Sequence, residues 1–150
     1  MDAVTYPDNR VAQFLQERVI PIRIRSTAQP LASEYNVHWT PTLILADVEG
    51  KEHHRTIGWL SPDDLIANVL LGIAKLHFDR REHDKAVAMM GELLDRYPRS
   101  DVAPEALYLS GVTRFKQTHD LKAIRAVYEK LLASYPSSEW TRRASVYEAV

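Results

Sequence analysis

The sequence predicts an α/β segment followed by an all-α segment, and three observations carry that prediction. Up to Ser61 the apolar period alternates between helical and strand spacing, with turn residues at each change. From Leu70 onward only the helical period remains. Within this second part "LLDRYPRS" (residues 93–100) returns 38 positions later as "LLASYPSS" (residues 131–138), which marks an internal repeat.

The elements follow in order. Pro7-Asp8 supplies a turn and an N-cap, after which "NRVAQFLQER" places Val11, Phe14 and Leu15 on one helical face. "VIPIRIR" (19–25) alternates Ile20, Ile22 and Ile24 with other residues and predicts a strand; Pro21 removes a ladder donor and assigns it an early or edge position. "QPLASEY" predicts a short helix with Pro30 in its first turn, closed by Asn36, a residue tolerant of the left-handed conformation. "TLILA" (42–46) is an apolar run rich in branched residues, and the Gly-containing turn "DVEGK" returns the chain as "HHRTIG", so these form a hairpin. "WLSPDDLIANVLLGIAKLHF" opens a long helix with Ser61 as cap, Pro62 in the first helical position and Asp64 three residues after the cap.

In the repeated part each copy of the motif is preceded by a Gly within a helical pattern (Gly72, Gly111), then an aromatic (Phe78, Phe115), then a polar turn ending His-Asp (83–84, 119–120), then a second helix. Each unit is therefore a helical hairpin, with Asp84 and Asp120 expected to cap the second helix. "EWTRRASVYEAV" begins a third unit whose single helix is expected to close the array.

Two resemblances follow from these residues. The order of elements, together with "YNVHWTPTLIL", the turn "EGK" and "GWLSPDDL", resembles the thioredoxin fold from its first helix onward. The resemblance implies a domain over residues 1–69 that lacks the N-terminal strand and its Cys-x-x-Cys pair. It also implies a cis bond at Thr40-Pro41 and a peptide-binding loop of Trp39, Thr40, Pro41 and Trp59. The second half, residues 70–150, resembles tetratricopeptide-type repeats: Ala86, Met90 and Leu93 before Pro98, and Ile124, Tyr128 and Leu131 before Pro136, occupy the packing places of that motif. Its period of 38 exceeds the usual figure of about 34.

Composition narrows the function. The 150 residues are 45% hydrophobic and 26% charged, as in an ordinary globular chain. Lys and Arg number 19 against 20 Asp and Glu, which argues against a nucleic-acid partner. No apolar run reaches membrane-span length, and Met1 is followed by an acidic residue rather than by an export signal, which favours a cytoplasmic location for the chain as given. With no cysteine, these residues hold no disulfide, thiolate zinc site or thiol nucleophile. His53-His54 are neighbours on a strand, expected on opposite faces and therefore not joint ligands of a metal. Arg80-Arg81 and Arg142-Arg143 lie near helix ends and suit the helix dipole. There is no phosphate loop and no nucleophile elbow, and no catalytic residue or cofactor is assigned.

Two functions remain. One is a protein- or peptide-binding module without redox chemistry, formed by a thioredoxin-like part joined to helical repeats. The other is the C-terminal part of a thiol-disulfide oxidoreductase whose Cys-x-x-Cys strand lies upstream of Met1. The strand that the resemblance lacks would sit between residues 19–25 and 42–46, so both neighbours are expected to expose unpaired backbone; direct pairing of the two, exchange of a segment with a second chain, or a sheet reduced to the hairpin plus a displaced strand would relieve this, and self-association through the exposed edge is the favoured outcome.

Overall fold

A computed structural model describes residues 1–149 as a two-stranded sheet and seven α-helices. Helix α1 (Asn9–Arg18) starts where Asp8 accepts a hydrogen bond from the Arg10 amide at 2.8 Å, and it buries Val11 and Phe14. The short helix α2 (Leu31–Glu34) follows Pro30 and closes at Asn36, whose φ of 49° is the left-handed conformation that the sequence suggests. Strands β1 (Thr42–Ala46) and β2 (Glu52–Ile57) pair antiparallel, and the turn between them uses Gly50 at φ 81°. The peptide bonds before Pro30 and Pro41 are cis, the latter as the resemblance implies.

The strand expected at 19–25 is not formed; this stretch is irregular and the sheet is β1–β2 alone. The alternation of Ile20, Ile22 and Ile24 is a strand signal, but a strand needs a neighbour to take its ladder bonds, and among the described residues none pairs with it. Ile20, Ile22 and Ile24 are exposed to solvent instead.

Helix α3 (Pro62–Asp79) is the spine of the molecule. Ser61 caps it, accepting from the Asp64 amide at 3.1 Å, and nine of its residues are buried. It runs unbroken through residues 69 and 70, so one helix serves both the hairpin and the helical array. On one side it carries α1, held also by Arg10 to Asp63 at 2.9 Å. On another side it carries the hairpin. A Cβ at Gly72 would stand 3.0 Å from Leu45 Cβ and 3.1 Å from His54 Cβ, so glycine is what lets the sheet approach this closely.

The remaining helices are α4 (His83–Arg96), α5 (Ala103–Thr118), α6 (Leu121–Ser134) and α7 (Glu139–Ala144), the last followed by a 3₁₀ turn at Ser145–Tyr147. Consecutive helices pack as antiparallel neighbours, α3 on α4, α4 on α5 and α5 on α6. All six repeat positions singled out in the sequence are buried: Ala86, Met90, Leu93, Ile124, Tyr128 and Leu131. Each large one contributes about 1.5–3 kcal/mol of apolar burial. Gly111 sits against Val127 of α6 much as Gly72 sits against the hairpin. Helix α7 packs on α5 and α6: the Thr141 hydroxyl donates to the Tyr135 carbonyl at 2.6 Å, and Trp140 lies against Tyr108 with ring centroids 5.2 Å apart.

The two polar turns differ, which corrects one expectation. Asp120 caps α6, accepting from the Lys122 amide at 2.9 Å. Asp84 lies inside the first turn of α4 and accepts from the Gln117 side chain of α5 at 2.7 Å. The left-handed residue explains the shift: in the second unit it is His119, immediately before Asp120, whereas in the first it is Arg81, which starts the next helix early enough to place Asp84 within it.

Candidate functional site

The hairpin determines which backbone groups the molecule offers. The Gly58 amide donates to the Pro41 carbonyl at 2.9 Å, and the register pairs Leu43 with Thr56 and Leu45 with His54. In an antiparallel ladder, bonded residues alternate with outward-facing ones. The odd positions from 41 to 45 thus face β2, and the peptide groups of Thr42 and Ile44 face away from it. Neither the amide nor the carbonyl of Thr40 has a partner among the described residues. The Trp39 carbonyl is occupied, accepting from the Thr42 hydroxyl at 2.6 Å, which fixes the loop at its approach to the edge.

The four residues assigned from the sequence gather at this end of the hairpin. The Pro41–Gly58 bond joins the backbones beside Trp39 and Trp59, and Trp39, Thr40, Pro41 and Trp59 are exposed or half-buried. Trp39 is 71% and Trp59 61% exposed, so neither is buried in packing, the ordinary fate of a tryptophan. Trp39 and Thr40 also line a cavity of about 530 Å³ with Ser26, Val37 and His38. Two more contacts hold this end together: the buried Thr5 donates to the Leu60 carbonyl at 2.6 Å, and Arg23 pairs with Asp2 at 2.9 Å.

The two histidines diverge to separate partners. His53 is the extra residue of a bulge, since Leu45 pairs with His54 and Ala46 with Glu52. The bulge re-aims it. Instead of facing away from its neighbour, as strict alternation predicts, His53 lies against Asp47 at 3.0 Å and Asp79 of α3 at 2.7 Å, while His54 also turns to α3. The His53 hydrogen bond, with help from the Lys51 and Glu49 amides, holds the Asp47 carboxyl down at about 2. His54 lies 2.9 Å from Asn68 Oδ1 and 3.2 Å from Lys75 Nζ, and Lys75 continues to Glu105 of α5 at 2.6 Å. Burial pushes the His54 imidazole below its ordinary value, against the opposing effect of the Asn68 hydrogen bond. These chains of polar contacts tie the hairpin to α3 and α5; they are structural. Sequence reasoning missed them because neither the bulge nor the partners leave a local signal. Arg80, read as a dipole partner, also reaches Glu49 in the hairpin turn at 3.4 Å.

Comparison with known proteins agrees with the helical half. The tetratricopeptide repeat family model matches residues 68–100 and 105–138, two segments that end on the equivalent residues Ser100 and Ser138. From residue 68 to residue 138 the helices α3 to α6 are thus similar to repeats of the tetratricopeptide type, a class that typically mediates protein–protein interaction. No curated protein and no solved structure matches the chain. The family match begins at residue 68, and nothing in these comparisons supports the thioredoxin-type resemblance of the preceding part.

Proposed function

We propose that this chain is a protein-binding module in which the repeat helices form the scaffold and the Trp39–Pro41 loop, with Trp59, receives an extended peptide. The observation that carries the reading is the unpartnered Thr40 peptide group, placed just before the open edge of β1 at the end of the hairpin that carries two solvent-exposed tryptophans. An extended peptide adds to such an edge by main-chain hydrogen bonds, and flanking aromatic side chains supply apolar contact and selectivity. The thioredoxin-like resemblance supports the same loop, and the lack of cysteine separates this binding from thiol chemistry.

A displayed library of linear peptides, selected against the purified chain, tests the proposal. The enriched peptides should bind the native chain and lose at least about tenfold in affinity with Trp39→Ala or Trp59→Ala, the loss typical of an aromatic anchor worth more than about 1 kcal/mol. Peptides whose binding is unchanged by both substitutions would move the site to the repeat helices and overturn the loop assignment.

A further inference from the structure

The end of the molecule that holds the loop carries more exposed apolar surface than a lone chain ordinarily tolerates. Ile20 is 87%, Ile22 77% and Ile24 47% exposed, and Val4, Ile57 and the two tryptophans join them. Their segments are neighbours: Arg23 bonds to Asp2, Thr5 to Leu60, Gly58 to Pro41, and Ser26 lines the same cavity as Trp39 and Thr40. Monomers seldom expose apolar patches beyond about 300–600 Å². Two tryptophans of about 150–250 Å² each, mostly exposed, together with three isoleucines, bring this face to the order of the roughly 800 Å² that each partner gives to a standard interface.

The face is also self-complementary. It holds an acceptor, the outward edge of β1 with the peptide groups of Thr42 and Ile44, and a donor segment whose Ile20, Ile22, Arg23, Ile24 and Arg25 amides have no backbone partner among the described residues. The donor carries the alternating pattern of a strand, yet among the described residues it pairs with no strand of its own chain. An isologous two-fold contact requires one patch that offers both halves of each interaction. We infer that residues 20–25 of one copy add as a strand to the β1 edge of a second copy, and reciprocally, making a dimer that covers the exposed isoleucines. The inference is independent of peptide binding, but both would use the same edge, so dimer and peptide exclude each other.

Sedimentation from micromolar to near-millimolar chain, read beside amide exchange at both extremes, tests it. The expected result is a concentration-dependent dimer in which the amides of 20–25 turned to the β1 edge, every second residue, and the amides of Thr42 and Ile44 slow together as it forms. Ile22→Lys with Ile24→Lys, two exposed positions, should leave the helical circular dichroism unchanged and weaken dimerisation by at least about a hundredfold. A chain that stays monomeric overturns the inference. So does a dimer indifferent to the two lysines, or protection of these amides that does not vary with concentration, which would place residues 20–25 on the chain's own edge.

Discussion

Gly111→Ala measures how tightly the second helical hairpin is packed. A Cβ added at Gly111 would stand 2.7 Å from Val127 Cγ2, 2.9 Å from its Cβ and 3.1 Å from its Cγ1. Carbon atoms prefer separations of about 3.5–4.0 Å, so relief requires a movement of the order of 1 Å. Val127 cannot supply it by rotation, because its branched side chain in α6 is restricted to one rotamer and presents three carbons to the intruding methyl. Helices α5 and α6 must therefore separate. Overpacking of this kind costs about 1–3 kcal/mol, partly offset by the gain of about 1 kcal/mol from replacing glycine inside a helix, so the net expectation is a loss of up to about 2 kcal/mol. Gly91 in α4 is the control: nothing lies within 4 Å of its added Cβ, and Gly91→Ala should stabilise by about 0.4–1 kcal/mol. Urea unfolding of both variants gives the two values. Adding Val127→Ala to Gly111→Ala should recover part of the loss, a coupling of about 1 kcal/mol or more between touching residues. If Gly111→Ala stabilises the chain as much as Gly91→Ala does, the close approach of α5 and α6 is refuted.

Two further predictions concern the attachment of the hairpin end. Because burial lowers the folded-state pKa of His54 below its ordinary 6.5, the unfolded chain takes up the proton first as pH falls. Its stabilising contribution is present above about 6.5 and is lost as pH drops toward the depressed folded value, by at most about 1.4 kcal/mol per pH unit; His54→Gln should flatten urea-derived stability across that window, and an unchanged slope would count against the buried neutral imidazole. Thr5→Val keeps the shape of a fully buried side chain but leaves the Leu60 carbonyl without its donor, so it should cost about 1–3 kcal/mol by urea unfolding, and a neutral result would detach the N-terminal residues from the link into α3.

Local signals made most elements legible. Asp8, Ser61 and Asp120 cap the helices that the sequence assigned them, since a cap is decided by the residue and the few that follow it. The repeat was legible because its packing positions recur at fixed spacing, and all of them are buried. What failed depended on a neighbour or on one extra residue. Residues 19–25 carry the strand pattern but have no ladder partner, and Asp84 lost its capping role when the left-handed turn moved to Arg81. The candidate loop was legible in kind: Trp39, Thr40, Pro41 and Trp59 come together at one end of the hairpin. The outward alternation at Thr42 and Ile44 required the observed register.

Amide chemical shifts of the labelled chain, followed while a library-selected peptide is added, show whether a partner engages the open edge of β1 beside the two tryptophans. The amides of Thr40, Thr42 and Ile44 and the indole N–H groups of Trp39 and Trp59 should move together, with the signals of α4 and α6 unaffected. Shifts confined to the repeat helices, with the Thr40 amide and both indoles unmoved, would place the binding surface on the repeats instead.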